Sequence, residues 1–257
     1  MRCIKIWLVA VFGGLALPAF PQAPQANPNE YVEEKPVLMK NEATFGLILH
    51  SNGWGLGGIQ FRRGIALTGY KKWIFEGDYG GMRHPKEIKT VNPYFDAAKS
   101  YVYGKSNTFN VLRLGTGIQR TLYSKFDRHG VEIRMVYSGG LSLGLLKPVY
   151  LEILKPTGNF NEFEVRTEKY DPTEHFVDNI YGRSSFSEGL GEMKFKPGLY
   201  GKLGFNFEYA PIFSDVKAIE VGAVLDVYPT DVPIMALIDN KQLFLSFYVT
   251  FMYGRKW

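Results

Sequence analysis

The sequence contains four histidines, the residue type that most often acts as a catalytic base or a metal ligand. His50 is next to Ser51, but neighbouring residues on a strand point to opposite faces, so this pair cannot share a proton. His84, His129 and His175 fall in three separate connecting segments. The sequence also lacks the HExxH and paired-histidine patterns of zinc hydrolases. We therefore expect no enzyme activity, no metal site and no cofactor.

Two connecting segments carry clustered charges that could bind ions. His175 stands among Asp171, Glu174 and Asp178, a set that could hold a divalent cation. Its spacing matches no known calcium-ligand motif, so a solvated acidic loop is the simpler interpretation. Segment 82–89 is basic and could contact lipopolysaccharide phosphates. An ordinary basic surface segment would have the same composition, so both interpretations of this segment stay open.

Nine charged residues occur at alternate positions within otherwise apolar segments. Alternate side chains of a strand share one face, so these charges would line the interior if the sheet closed into a barrel. The set could form an ion path or a salt-bridged plug. The narrow interior of an eight-stranded barrel favours the plug, because unpaired buried charges are costly. The nine residues are Lys72, Glu76, Arg113, Glu132, Arg134, Lys202, Glu208, Glu220 and Asp226.

The elements that must position these charges are eight segments in which apolar and polar residues alternate. The clearest is Val131–Leu145, whose apolar face opposes a face of charged residues, serine and glycine. A usual strand has ~5–6 residues, so this longer segment suits a tilted strand that crosses a bilayer. The sequence therefore predicts an all-β fold with strands at 43–50, 57–66, 72–79, 112–119, 131–145, 199–209, 219–227 and 243–254.

The links between these segments alternate in length. Those after the second, fourth and sixth strands are short, whereas 81–107, 147–196 and 229–241 are long. The first link, 52–56, is the exception. Short turns alternating with long loops are typical of an up-and-down outer-membrane barrel with external loops. We thus predict an eight-stranded antiparallel transmembrane barrel at 41–257.

The alternative is a secreted, lipocalin-like barrel with its apolar face inward. The glycine and serine of the polar face suit a crowded interior better than a solvated surface. Aromatic residues near strand ends also favour a membrane, because such residues form girdles at its interfaces. These aromatic residues are Trp54, Tyr70, Trp73, Tyr79, Tyr123, Tyr209, Tyr248, Tyr253 and Trp257.

The first 23 residues have the layout of a secretory signal peptide. Arg2 and Lys5 precede the apolar stretch 6–17, and small residues follow it. Removal of residues 1–23 takes away two basic residues and no acid, so the net charge falls from +5 to +3. It also removes Cys3, the single cysteine. This mild charge predicts no nucleic-acid partner. Segment 24–40, rich in proline and asparagine, is expected to be flexible.

The last strand ends on an aromatic residue after alternating apolar positions, namely Phe247, Val249, Phe251, Tyr253 and Trp257. This pattern resembles the C-terminal signal that the outer-membrane assembly machinery recognises. Together with the signal peptide and the eight alternating strands, it resembles small outer-membrane barrel families, particularly those of Bacteroidota. The resemblance implies the fold and a location in the outer membrane of a Gram-negative bacterium, and it implies no activity.

The link 147–196 contains too many apolar and aromatic residues for a disordered segment, among them Tyr150, Phe160, Phe163, Tyr170, Phe176 and Tyr181. We expect it to fold over the barrel mouth or to dock on another protein. The expected function is that of a structural or accessory subunit of an outer-membrane assembly, secretion or uptake complex. The expected partners are outer-membrane lipid, lipopolysaccharide and other outer-membrane proteins. A narrow channel and a lipid-A-modifying enzyme remain the alternatives.

Overall fold

The computed structural model describes residues 39–95, 98–125, 130–157, 163–209, 214–236 and 238–257, apart from the side chains of 54–56. The predicted signal peptide and nearly all of segment 24–40 lie outside the described residues and stay predictions. His129 and Phe160 also lie outside them.

The described chain is built from strands and one 3-10 turn (Leu190–Glu192). Within these ranges, no helix is long and apolar enough to span a membrane. The strands are β1 (Asn41–His50), β2 (Gly53–Thr68), β3 (Lys71–Met82), β4 (Lys89–Thr90), β5 (Tyr101–Val102), β6 (Asn107–Tyr123), β7 (Glu132–Pro148), β8 (Tyr150–Pro156), β9 (Phe163–Lys169), β10 (Ile180–Arg183), β11 (Lys194–Glu208), β12 (Asp215–Val232) and β13 (Lys241–Lys256).

Eight long strands form a closed antiparallel barrel in the order β1-β13-β12-β11-β7-β6-β3-β2. The first and last strands close the ring, with pairs that run from Glu42 opposite Lys256 to His50 opposite Tyr248. Asn41 and Trp257 complete the seam by exchanging two backbone hydrogen bonds of 2.9 and 3.0 Å. Each barrel strand pairs with its neighbours in sequence, so the predicted eight-stranded up-and-down barrel is confirmed.

Several strands are longer than the alternating pattern predicted. Strand β2 begins at Gly53, so the first link is the turn 51–52 and not the segment 52–56. Strand β7 continues to Pro148, which lies opposite Asn107 of β6. Backbone pairing continues here although Leu145 and Leu146 are both apolar, and successive apolar residues give no alternation from which an end can be read.

The two faces of the barrel wall differ sharply in polarity. Leu141 is 67% exposed on the outside, whereas its neighbour Ser142 is 2% exposed in the lumen. Each of the eight strands places large apolar side chains outside, for example Leu47, Phe61, Phe75, Leu114, Leu141, Phe205, Ile219 and Phe247. The polar residues therefore lie inside, which contradicts the alternative of a lipocalin-like barrel with an apolar interior.

The three long links and the turn 51–52 lie at one end of the barrel, and the connections after β2, β6 and β11 lie at the other end with Asn41 and Trp257. Link 149–193 folds into a three-stranded sheet in the order β10-β8-β9, and β4 pairs with β5 in the preceding long link. The two links share a small apolar core of Tyr101, Leu151, Ile153, Tyr170 and Ile180. This arrangement, which we call the external sheet domain, is a folded extension of the barrel.

Candidate functional site

The lumen contains three successive clusters of paired charges, beginning near the end with the long loops. Arg113 of β6 binds both carboxylate oxygens of Asp226 at 2.8 Å, through Nε and Nη2. Its Nη1 donates to Asp78 at 2.8 Å and lies 3.4 Å from Nε2 of His50. A planar guanidinium suits such two-pronged binding, so one arginine joins strands from opposite sides of the lumen.

The middle cluster is centred on Arg62 of β2. Its guanidinium donates to Glu76 at 2.9 Å and to both carboxylate oxygens of Glu220, at 2.5 and 2.9 Å. The ammonium of Lys202 lies 3.7 Å from Glu76 and from Asp78, a distance of ionic attraction without a direct hydrogen bond. Lys202 thereby connects the middle cluster to the cluster around Arg113.

The lowest cluster lies towards the short turns and is centred on Arg134 of β7. This arginine donates to Glu132 at 2.7 Å, pairs with Glu208, and lies 3.6 Å from Glu42. The remaining contacts in this layer are those of Lys72 with Glu42, of Lys256 with Glu208 at 2.5 Å, and of Lys125 with Glu208 at 3.1 Å.

Two tyrosines fill the space between the charged layers. Tyr248 donates to Glu220 at 2.9 Å, and Tyr200 donates to Glu76 at 3.3 Å. Tyr248 is 2% exposed, so its predicted place in the aromatic girdle is wrong. The even-numbered residues of β13 face the lumen, and Tyr248 lies there between Ser246 and Thr250. Gly204 leaves room for the phenol, because a Cβ at this position would collide with the Tyr248 hydroxyl.

All nine charged residues predicted to face inward line the lumen. The predicted set omitted five further charged members of the clusters, Glu42, Arg62, Asp78, Lys125 and Lys256. Arg62 lies two residues after Gln60, and Asp78 lies two residues after Glu76, so the alternating pattern already placed both on the polar face of their strands. Glu42 and Lys256 lie near strand ends, where the alternating pattern is too short to assign a face.

Every described carboxylate that faces the lumen has a basic partner within 4 Å. These carboxylates are Glu42, Glu76, Asp78, Glu132, Glu208, Glu220 and Asp226. The basic partners in turn bind more than one acid in most cases. Seven basic side chains in the three clusters balance these seven carboxylates over the lumen as a whole, as a salt-bridged plug requires.

An apolar cap closes the lumen above the highest charged layer. Its side chains come from five barrel strands and from the link 233–240, and they are Met82, Phe109, Val111, Leu146, Tyr228, Val232, Ile234, Met235 and Phe244, with Ile238 against them. The link is fixed across the mouth by backbone bonds from Ser106 and Asn107 to the carbonyl of Ile234, at 3.0 and 3.1 Å. The three charged clusters and the apolar cap together fill the lumen.

The three described histidines each contact neighbouring residues of the protein. His50 faces the lumen beside Arg113, while Ser51 accepts a bond from the backbone of Phe247 at 3.1 Å. His84 is buried in the first long loop, and burial, reinforced by the nearby Lys241, lowers its pKa. His175 accepts a bond from the Asp171 backbone at 3.0 Å. Among the described residues, no group of three or more acidic, histidine or cysteine side chains could hold a metal ion.

The aromatic residues predicted to dock a partner divide into two sets. Tyr170 is buried in the core of the external sheet domain, and Tyr181 packs edge-on against Phe95 with ring centres 5.2 Å apart. Tyr150 donates its hydroxyl to Glu192. Phe163 and Phe176 are more than half exposed. Among the described members of the predicted set, these last two present large apolar surfaces.

Strand β9 forms one edge of the external sheet. In the described part of the chain it pairs only with β8, from Tyr150 opposite Lys169 to Pro156 opposite Phe163. The backbone amide of Tyr170 donates to the carbonyl of Val149 at 2.9 Å. In an antiparallel pair, every second residue forms such bonds with the neighbouring strand, so this bond shows which residues of β9 bond to β8. The amides of even-numbered residues therefore point to β8, and those of odd-numbered residues, such as Val165, point away from the sheet.

The residues of the predicted C-terminal signal lie on the outer surface of β13. Phe247, Phe251, Tyr253 and Trp257 are each at least half exposed, and Val249 lies between them on the same face. Their recognition by an assembly machinery stays a prediction.

Comparison of the sequence with protein-family models and with curated proteins finds no match. Solved structures with a similar course of the backbone include Neisserial surface protein A, the attachment invasion locus protein of Yersinia pestis, and the N-terminal β-barrel domain of Pseudomonas aeruginosa OprF. Their identities to this chain are 9%, 7% and 10%, and their TM-scores are 0.40, 0.36 and 0.32. Each comparison covers 85% of this chain and 97%, 97% and 99% of the other, respectively. The resemblance to Bacteroidota barrels stays a prediction.

Proposed function

We propose that this protein is a non-enzymatic outer-membrane barrel with a sealed lumen, which holds its external sheet domain at the cell surface as an accessory subunit of an outer-membrane protein complex. The observation that carries the proposal is the inverted polarity of the barrel. Paired charges fill its interior, and apolar side chains cover its outside.

The exposed apolar surface supports a place in the membrane. Soluble monomers rarely expose large contiguous apolar patches, yet here all eight strands contribute apolar residues to the outer face. Hydrocarbon requires every backbone group to be paired internally, and a closed barrel meets this condition. The end with the short turns would then face the periplasm, and the end with the external sheet domain would face outward.

The sealed lumen supports an accessory role over that of a channel. An ion would have to pass the apolar cap and then separate three layers of salt bridges, and breaking one buried pair costs about 3–5 kcal/mol. The barrel should therefore be electrically silent in planar bilayers. A stable unitary conductance from the folded protein would favour the narrow channel instead.

The edge strand β9 supports docking of a partner. An exposed edge with unpaired backbone amides can accept a further strand from another chain. Phe163 and Val165 add exposed apolar side chains along this edge, and Phe176 is exposed nearby in the same link. These features are concentrated on the part of the molecule that would project from the membrane.

The docking edge can be tested by purification from native membranes with two matched variants. Val165→Pro removes an amide that points away from β8, so it should abolish strand addition while leaving the internal ladder intact. Val165→Thr keeps the amide and the branched shape, and should retain the partners of the unmodified protein. If both variants copurify with the same proteins, β9 is not the docking edge.

A further inference from the structure

A large cavity opens in the external sheet domain. It has a volume of about 710 Å³ and lies between the first long loop, the start of β8 and the segment after β10. This volume falls within the range of ~300–1,000 Å³ that is typical of small-molecule sites. The cavity is far larger than a single inorganic ion needs, and it has room for a ligand of several rings or branches.

Basic side chains dominate the polar part of this cavity. Its lining contains Arg83, Lys89, Lys99, Lys105, Lys147 and Arg183, but a single acidic residue, Glu87. Like charges gathered around one cavity repel one another, and a bound anion lowers this repulsion.

The acids of the domain neutralise only part of this charge. Lys105 pairs with Glu87 at 2.6 Å, and Lys99 pairs with Glu152 at 3.3 Å. Within the described ranges, Arg83, Lys89 and Arg183 form no ion pair with any carboxylate. Three cationic groups on the cavity wall therefore remain available to an anionic ligand.

Lys147 fixes the wall of the cavity on one side. It is 8% exposed, and its ammonium donates to the carbonyls of Phe186 and Glu188 at 2.6 and 3.1 Å. The same ammonium lies 4.4 Å from the centre of the Phe186 ring. These contacts order the segment after β10, so that Phe186 stays at the cavity beside the basic groups.

The remaining lining suits a sugar. Tyr150 and Phe186 provide aromatic surface, against which the apolar face of a sugar ring can pack. Ser184 and Ser185 provide hydroxyl groups that exchange hydrogen bonds with sugar hydroxyls. Arginine forks match phosphate oxygens in geometry as well as charge.

We propose that this cavity binds a saccharide that carries phosphate groups. Arg83 and Arg183 bind the phosphates, Lys89 adds attraction at longer range, and the aromatic residues contact the sugar. The site contains no residue of the β9 edge, so a test of this binding site does not depend on whether β9 docks a partner.

Calorimetric titration of the full-length folded protein in detergent tests this site. The probe is the deacylated, phosphorylated oligosaccharide of lipopolysaccharide, and its dephosphorylated form is the comparison. We expect affinity for the phosphorylated form to be at least about tenfold higher, since hydrogen bonds between charged groups are the strong ones. Its affinity should also fall as salt is added.

Two double variants with the same change in charge separate a specific site from general attraction. Arg83→Gln with Arg183→Gln should weaken binding roughly tenfold or more. Arg120→Gln with Arg255→Gln alters exposed arginines at the opposite end and should change the affinity less than twofold. Equal affinities of the two variants, equal affinities for the two forms of the probe, or no binding by the unmodified protein would overturn the proposal.

A further arm identifies the source of the phosphate. If the cavity takes its ligand from neighbouring lipopolysaccharide, protein in bilayers that contain lipopolysaccharide should no longer bind the free probe. If the ligand is a soluble phosphosaccharide, binding should persist in those bilayers. Either outcome supports phosphate recognition, provided that the arginine variant loses binding in detergent.

Discussion

Arg113 shows how a single side chain can hold the interior of the barrel together. It is 1% exposed and lies between Asp78 and Asp226, which belong to strands on different sides of the lumen. A buried ion pair contributes little compared with a well-packed apolar replacement, but removal of one partner leaves a costly uncompensated charge. The arginine matters because it neutralises two carboxylates at once.

Replacement of this arginine should therefore destabilise the barrel strongly. We expect Arg113→Met to lower the free energy of unfolding in lipid vesicles by about 3–5 kcal/mol, because Asp226 would remain buried without a basic partner and Asp78 would keep only Lys202, at 3.7 Å. Chemical denaturation followed by tryptophan fluorescence measures this change.

The exposed Arg120 on the same strand supplies the control. Arg120→Met should change the unfolding free energy by less than about 1 kcal/mol. Adding Asp226→Asn to Arg113→Met should restore part of the lost stability, since it removes the carboxylate that is left without a basic partner. An Arg113→Met variant as stable as the unmodified barrel would contradict the assigned role of the pair.

His84 should make the first long loop sensitive to acid. Burial and the nearby positive charge of Lys241 lower its pKa, and Glu87 opposes this only in part. Its Nδ1 also accepts a bond from the backbone of Lys86 at 3.3 Å, which a proton on this nitrogen would break. The neutral form is thus the one that the folded loop favours.

The stability that depends on His84 should be complete above the unfolded pKa of about 6.5 and should decline as the pH falls below it. Segment 83–106 should then be cleaved faster by an acid-tolerant protease at pH 5 than at pH 7. In His84→Gln this difference should largely disappear. Equal pH dependence in both proteins would show that another group is responsible.

At the scale of elements, the link 233–240 acts as the cover of the barrel. The side-chain oxygen of Asn240 accepts from the amides of Ile234 and Met235, at 3.0 and 3.3 Å, and its nitrogen donates to the carbonyls of Met235 and Ile238, at 3.1 and 3.3 Å. One amide group therefore shapes the whole turn that carries the apolar residues into the mouth.

Loss of this amide should loosen the cover without unfolding the barrel. We expect Asn240→Ala to cost about 1–3 kcal/mol locally, because backbone groups lose their partners. Hydrogen exchange at residues 234–236 should become faster by roughly tenfold or more. Asp239→Ala, a change at the exposed neighbouring residue, should leave these amides unchanged. Equal exchange in the two variants would contradict the role of Asn240.

The sequence predicted those elements whose two faces differ. Alternation located the eight barrel strands, because lipid and lumen demand opposite side chains at successive positions. It gave no sign of the apolar cap, since Leu146 and Phe244 face inward at heights where their outward neighbours are also apolar. The small external strands were hidden for another reason: each is short, and its partners lie far apart in the chain.

At the scale of the whole molecule, the barrel has the reverse of the distribution of polar and apolar residues that is usual in a soluble protein. Its charged residues form the core, and its apolar residues form the surface. Tyr248 illustrates the limit of prediction by residue type, because a tyrosine suits both an interfacial girdle and a crowded polar lumen. Only the register of β13, which aligns it with Ser246 and Thr250, places it inside.

The orientation of the wall can be measured with spin labels on single cysteines in lipid vesicles. Labels at Leu114, Leu141 and Phe205 should collide with dissolved oxygen and be shielded from a water-soluble nickel chelate. A label at Ser187 in the external sheet domain should show the reverse. If the nickel chelate reached the three wall positions as freely as Ser187, the apolar face would be in water, and the membrane-spanning barrel would be contradicted.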